Sequence, residues 1–425
     1  MTPLIDAAYL LGMTAASPYW AWRMVRAGKH RTDWPARLGQ GVALRTPGPQ
    51  GRVLVHAVSV GEANAARGLV ERLASEGDVV LSVTTDTGHA RAVQLFGQRL
   101  PVVRYPFDAG FAVERFLDRV QPTLVALMEL EVWPNFIHAC GKRGIPVGVV
   151  NGRLSARSFS RYRLARPVVS GMFRKLAFVA AQTQDYADRF VLMGVPGDRV
   201  SVTGTMKWDT AMLADRVEGA EELARELGID PQRPLVVAGS TAPGEEAMLH
   251  AAVPEGVQLL CAPRKPEWFD AAACAMPGCV RRTQRSARPG ASRFLLDTIG
   301  ELRKAYALAT VVVIGRSFGN LHGSDMMEPI ALGKATLIGP RYGDFADMAD
   351  ALVQAGGLRV TSLYDLGRDL AQLLHDAERR NEMASAGRAV IESMQGATLR
   401  HATLIRAMMR HAGGITATTL ATTHA

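Results

Sequence analysis

From about residue 50 onward the chain repeats one pattern. Short, nearly unbroken apolar runs rich in β-branched residues end in turn residues, and a helical stretch follows each. In the first half the runs are VLVHAVS (53–59), VVLSVTT (79–85), TLVALMEL (123–130), VGVVNG (147–152) and FVAAQT (178–183). In the second half they are PLVVAGST (234–241), VQLLCAP (257–263), SRFLLD (292–297), TVVVIG (310–315) and ATLIGP (335–340). Few of them alternate polar with apolar, so both faces of each strand must be covered, as in a parallel sheet between two layers of helices. The pattern predicts an α/β protein with two Rossmann-like, doubly wound domains facing a cleft. A strandless stretch near 206–234 marks the seam. The expected division is a first Rossmann-like domain over 41–207, a linker over 208–232, a second Rossmann-like domain over 233–395, and a final helix with a frayed tail over 396–425.

Such sheets bind ligands at the carboxyl ends of their strands. There the first half places Gly61 and Glu62, then Asp86, Gly88 and His89, then Glu129 and Glu131 before Trp133-Pro134-Asn135, then Arg153, and Lys207 after VSVTG. The second half offers Ser240-Thr241, Arg264-Lys265, Gly300-Glu301 and SFGNLHGSDMMEP. Glu62 has two readings at this point. A carboxylate at a helix start is comfortable beside unpaired N–H groups and the positive end of the dipole. Alternatively it faces the cleft and takes a proton from a substrate.

Composition narrows the partners. A net charge of +9 and a pI of about 9.6 favour an anionic one: nucleic acid, nucleotide-sugar or acidic lipid. Aromatic content of 6% without a basic-aromatic module argues against nucleic acid. Cys140, Cys261, Cys274 and Cys279 have no CxxC spacing and read as reduced thiols. No full GxGxxG, P-loop, GxSxG or HExxH occurs, which removes dehydrogenase, P-loop NTPase, α/β-hydrolase and zincin readings; no metal site is expected. Residues 1–40 differ from the rest. LIDAAYLLGMTAASPYWAW (4–22) is mostly apolar, and Arg23, Arg26, Lys29, His30 and Arg31 follow. Asp6 makes spanning costly, and Tyr19, Trp20 and Trp22 beside a basic cluster suit a membrane-associating segment. A helix packed on its own domain is the alternative.

A series of motifs in one order carries a resemblance: HAVSVGE, TTDTGHA, YPFD, LMELEVWPN, VNGRLSARS, AAQTQDYADRF, VTGTMKWD, GSTAPGEE, PRKPEWF, DTIGELRKAYALA and MEPIALGKATLIGP. Together they make the chain similar to the bacterial 3-deoxy-D-manno-octulosonic acid (Kdo) transferases of lipopolysaccharide synthesis, over nearly its whole length. The resemblance implies the two-domain GT-B glycosyltransferase architecture. It also implies inverting transfer of Kdo from CMP-Kdo to a tetraacyl lipid A precursor at the cytoplasmic face of the inner membrane, with no essential metal or other cofactor. It makes Glu62 the general base and gives Glu129 and Lys207 to transition-state stabilisation. The nucleotide positions it implies are Pro263, Arg264, Ile299, Gly300, Glu301, Asp325, Met326, Met327 and Glu328. The donor motifs depart from the family pattern: GGHNPLEP becomes HGSDMMEP, with Ser324 for His, Asp325 for Asn and Met326 for Pro. Asp325 puts a carboxylate near an anionic nucleotide, and Arg316 adds a cation. A GT-B transferase using another activated sugar, or a non-catalytic nucleotide- or lipid-binding relative, are therefore the alternatives.

Plainer readings accompany each residue. Glu129 pairs with Arg153, Glu131 and Glu328 cap helices, Lys207 is solvated, and Arg264 sits in a salt bridge. His56, inside an apolar strand, reads as a satisfied core histidine. Met326 and Met327 read as packing residues, and Arg281, Arg282, Arg285 and Arg288 as a solvated loop.

Overall fold

The computed structural model describes residues 32–421, except 42, 285, 286 and 289. Most of the N-terminal segment expected to meet a membrane lies outside the described residues. Among those described, no helix is long and apolar enough to cross a membrane.

The chain forms two compact units, one of Met1–Thr210 with Gln395–Ala425 and one of Ala211–Met394. In the first, the strands are β1 (Arg52–Ala57), β2 (Asp78–Val83), β3 (Val102–Arg104), β4 (Leu124–Met128), β5 (Val147–Gly152), β6 (Phe178–Ala181) and β7 (Val200–Val202). They pair in parallel in the order β3-β2-β1-β4-β5-β6-β7. β1, β4, β5 and β6 are buried at every position, the continuous burial that their unbroken apolar runs anticipate. The order reverses between β1 and β4, with His56 opposite Leu127 in the register. That reversal is the switch point outside which open α/β sheets bind ligands.

The second unit repeats the plan with β8 (Leu235–Thr241), β9 (Gln258–Pro263), β10 (Val280–Arg281), β11 (Arg293–Leu295), β12 (Val311–Ile314), β13 (Ala335–Ile338) and β14 (Arg359–Val360). Their order is β10-β11-β9-β8-β12-β13-β14, so its switch point lies between β8 and β12. There the two chains approach closely: a Cβ on Gly315 would stand 2.5 Å from the Thr241 Cα.

The segment 208–232 is not a bare linker. Residues beyond Thr210 belong to the second unit, and AEELAREL forms a helix, Ala220–Leu227. That helix buries Ala220, Leu223 and Leu227 on one face and packs against the helix Leu302–Leu308. The final helix, Ala397–Ala421, returns to the first unit and places Ala397, Ala402 and Ile405 in its core beside Leu69, Val70 and Leu73.

Candidate active site

Glu62 follows β1 at the first switch point, in the first turn of the helix Val60–Ala65. Ser59 caps that helix, its oxygen accepting the Glu62 N–H at 3.4 Å. The Ser59 hydroxyl donates back to Glu62 Oε1 at 3.1 Å, and the Val58 N–H donates to Oε2 at 2.9 Å. This is a capping box shifted by one residue, because the glutamate reaches the amide before the cap rather than the cap's own. Both carboxylate oxygens are thereby fixed. The helix abuts the next strand-end helix, Asp86–Phe96, where a Cβ on Gly88 would lie 3.1 Å from the Ser59 carbonyl carbon.

Glu129 follows β4 on the other side of the switch point, with φ 55°. A left-handed glutamate is strained, and its neighbours hold it: its N–H donates to Val150 O at 3.0 Å and its carbonyl accepts the Arg153 N–H at 3.4 Å. The Glu129–Arg153 relation is therefore seen through the main chain. Half-buried Glu131 accepts the Trp133 indole N–H at 2.8 Å, so it holds that ring rather than capping the next helix. Burial pushes the Glu62 carboxyl up to about 7, and Glu129 and Glu131 add repulsion against the pull of Val58 and Ser59. Burial and Glu129 raise Glu131 as well, while the Trp133 bond opposes them. Three carboxylates are thus gathered at one strand edge, and one of them is tuned to titrate near neutrality.

Lys207 lies on the turn after β7, half-buried, its ammonium in no ion pair among the described residues. Its main chain is fixed: the N–H reaches Thr205 Oγ1 at 3.3 Å and the carbonyl accepts the Thr210 hydroxyl at 2.7 Å. Electrostatic coupling joins Glu62 to Glu129 and Glu131. His56 is buried, bonded through Nδ1 to the Ser82 hydroxyl at 2.9 Å and stacked on Tyr105 at 3.8 Å. Desolvation lowers its pKa to about 3 despite the Ser82 contact, which makes it a neutral core residue.

In the second unit the positions expected to hold the nucleotide lie at the end of a strand or in segments that follow strands. Arg264 follows β9, exposed, with its N–H on Thr241 O at 3.0 Å and its guanidinium in no ion pair among the described residues. Pro263 is buried, while Ile299 and Gly300 are exposed and Gly300 has φ 96°, with open space where a Cβ would be. Glu301 is committed elsewhere: Arg282 forks onto it at 3.1 and 3.2 Å, and the Thr298 hydroxyl reaches it at 2.6 Å. Arg281 bonds Asp297 at 2.8 Å and Asp270 at 2.9 Å, so two of the four arginines read as a solvated loop are structural. Met326 and Met327 are 0% and 2% exposed, which leaves only their main chain to offer a ligand. Asp325 is occupied in part by the Met327 N–H at 2.8 Å, a turn bond. Glu328, half-buried, is pushed up by desolvation and by Asp325, against Arg303 at 3.8 Å.

Sequence reasoning passed over Glu245, although GSTAPGEE contains it. The Glu245 carboxylate, 6% exposed, accepts N–H groups of Ala242 (2.9 Å), Arg316 (2.7 Å), Ser317 (3.1 Å) and Phe318 (3.2 Å). It joins the ends of β8 and β12 at the second switch point, where Ser240 and Arg316 both take positive φ (57° and 59°). Its signal was an acid just after Gly244 at a helix start.

Comparison with known proteins follows the same outline. The family described as 3-deoxy-D-manno-octulosonic-acid transferase (kdotransferase) matches residues 32–210. The chain is 34% identical to the 3-deoxy-D-manno-octulosonic acid transferase of Bordetella pertussis over 424 residues, covering 92% of this chain and 96% of that one. It is 30% identical to the Haemophilus influenzae protein of the same name, covering 90% and 92%. Among solved structures, a glycosyltransferase from Rickettsia africae aligns with a TM-score of 0.55 at 10% identity, over 84% of this chain and 98% of that one. The UDP-GlcNAc 2-epimerase of Neisseria meningitidis aligns at 0.52 and 14%, over 80% and 99%. At these identities the likeness is one of fold, the two-sheet GT-B plan.

Proposed function

The chain belongs to the 3-deoxy-D-manno-octulosonic acid transferase family and is a glycosyltransferase, and from that premise we propose that it moves Kdo from CMP-Kdo to a lipid A precursor with inversion, Glu62 acting as general base. The observation that carries the base assignment is the Glu62 carboxylate, held on both oxygens at the switch point and raised to about 7. A base with that pKa is half ionised at neutral pH, where ionised fraction and proton affinity are both useful. The acceptor is a sugar hydroxyl, and its proton passes to Glu62 as the oxygen attacks the anomeric carbon of Kdo. The bond to the CMP phosphate breaks in the same displacement, and CMP leaves as an anion. In this reading that charge falls to Lys207 and Arg264, whose side chains form no ion pair among the described residues. In this reading side chains, with no resident metal, neutralise the leaving group. Glu129 stands beside the base in its strained turn and tunes it by repulsion.

The acceptor is a lipid, so the protein works at the cytoplasmic face of the inner membrane in this reading. The 1–40 segment supplies one contact. A second is the helix Ala156–Leu164, which rests Phe159 and Tyr162 on the core and presents Arg157, Arg161, Arg163 and an 87% exposed Leu164, with Arg166 just beyond. Arginines beside an exposed leucine fit anionic headgroups over an acyl boundary.

The test is transfer from CMP-Kdo to tetraacyl lipid A precursor in detergent micelles, wild type against Glu62→Gln. A rate loss on the order of 100- to 10,000-fold with CMP binding intact is expected. Equal rates would sink Glu62 as the base. No product from either protein, with product from another activated sugar, would sink CMP-Kdo as donor.

A further inference from the structure

β5 breaks its ladder with β6 just where the site begins. The register runs Gly148–Phe178 and Val149–Val179, then shifts to Gly152–Ala181. Asn151 lies inside that bulge with φ 51°. Its N–H is free of the ladder and donates instead to His401 Nε2 at 2.8 Å, from a residue 250 positions later in the chain. Bulges of this kind re-aim a strand end, and they gather next to active sites.

The histidine is fully buried, and its tautomer follows from its partners. Nε2 accepts from Asn151, so the proton is on Nδ1, which donates to Ala397 O at 2.6 Å. Thr203 Oγ1 lies 3.2 Å from the same Nε2. From Asn151 the contacts diverge to two places. Its side-chain Oδ1 accepts the N–H of Met206, the residue before Lys207, at 3.1 Å. Val150 just before it and Arg153 two residues on are the residues that grip the main chain of Glu129. The rest of the Lys207 turn is tied to the same helix start: Asp209 accepts Gly396 N–H at 2.7 Å, and Arg400 donates to Thr203 O at 2.8 Å.

We infer that His401 and Asn151 are positioning residues, through which the C-terminal helix sets the Lys207 turn and the Glu129 turn relative to each other. The inference rests on the roles given to Lys207 and Glu129 above. Neither residue touches the reacting atoms in this view. A neutral histidine with a free Nε2 lone pair is what the displaced Asn151 amide requires, and an apolar residue of like size would fill the space without holding the strand end.

The experiment is steady-state Kdo transfer with full-length protein. His401→Leu is expected to lower kcat on the order of 10- to 100-fold, the size of a misplaced catalytic group, with KM for CMP-Kdo within about twofold. His401→Gln, which keeps an acceptor near the Nε2 position, is expected to recover most of the loss. Asn151→Gly keeps the left-handed backbone and its N–H but removes the acceptor for Met206, and it should lower kcat in the same way. Full kcat in His401→Leu, equal losses in the Leu and Gln variants, or wild-type turnover in Asn151→Gly would each overturn the inference. If His401→Leu fails to fold, Asn151→Gly decides. Lys207→Ala separates the two levels: full activity there removes the role of Lys207 itself, whereas a dead Lys207→Ala beside an unaffected Asn151→Gly removes only the positioning role.

Discussion

Ser59 and Glu62 cap each other: the Ser59 oxygen accepts the Glu62 amide at 3.4 Å and its hydroxyl donates to the Glu62 carboxylate at 3.1 Å. The helix-start reading is what these bonds show, and it is compatible with the base role proposed above. The cap orients the carboxylate, and burial with neighbouring acids brings it into the working range.

Ser59→Ala is expected to move the acid limb of kcat/KM to higher pH. The Ser59 hydroxyl pulls the Glu62 pKa down, so its loss lets desolvation raise the pKa further. The helix also loses its N-cap, a cost of about 1 kcal/mol. A pH–rate profile checks the first effect and denaturant unfolding the second. An unmoved acid limb would separate Glu62 from the rate-controlling ionisation. Glu129→Gln should shift the limb the opposite way, because its charge is one of those raising Glu62.

Glu62 should also lower stability at alkaline pH. Its carboxyl is raised on folding from the ordinary 4.5 to about 7, so the folded state holds that proton more tightly than the unfolded chain. Stability then falls as pH climbs from about 4.5 through about 7, and the loss is complete above that window. Glu62→Gln removes the ionisation. The variant should match the wild type near pH 4 and melt at higher temperature at pH 8, as followed by thermal unfolding across that range. A wild-type advantage at pH 8 would contradict a raised Glu62.

How much of this was legible in the sequence depends on the range of each interaction. The long apolar strands were readable, because burial on both faces leaves an unbroken signal of four to seven residues. The edge strands Val102–Arg104, Val280–Arg281 and Arg359–Val360 were not, being two or three residues long and half-buried or mixed. Glu62, Glu129 and Lys207 could be placed because each follows a strand, and a parallel sheet brings its strand ends to one edge; the roles expected of them came from the family resemblance. The Asn151–His401 bond could not, since its partners are 250 positions apart and neither neighbourhood shows a bulge in advance. The fork of Arg282 onto Glu301 was hidden as well, since it joins separate segments, whereas the Thr298 bond is local.

Glu245→Gln should damage the donor unit more than most buried substitutions. Four main-chain N–H groups converge on this carboxylate, and an amide in its place turns one acceptor into a donor facing donors. Hydrogen bonds to a charged group contribute about 1.5–3 kcal/mol each, and leaving buried N–H groups unmet costs a similar amount. A stability loss of about 2–4 kcal/mol is expected from denaturant unfolding. Because the released loop carries Arg316 to Phe318 beside the strand ends of the second switch point, KM for CMP-Kdo should rise as well. A variant with wild-type stability would mean that the loop holds its shape without the carboxylate.

The helix Ala156–Leu164 makes a prediction independent of the chemistry. Its arginines Arg157, Arg161 and Arg163 are exposed and make no ion pair among the described residues, while Phe159 and Tyr162 pack on the core from the other side. Exposed, unpaired arginines add little to folding, so changing their charge should leave stability nearly unchanged. Each basic residue near an anionic bilayer contributes about 1 kcal/mol, an attraction that salt screens. Replacing the three arginines by glutamate should weaken co-sedimentation with phosphatidylglycerol-containing vesicles by at least tenfold at about 0.1 M salt. Binding to neutral vesicles should not change. Transfer to a lipid acceptor in vesicles should fall with binding, while transfer to the same acceptor dispersed in detergent should not. Unaltered vesicle binding would assign membrane attachment to the 1–40 segment alone, and a parallel loss in detergent would place this helix at the acceptor site rather than at the bilayer.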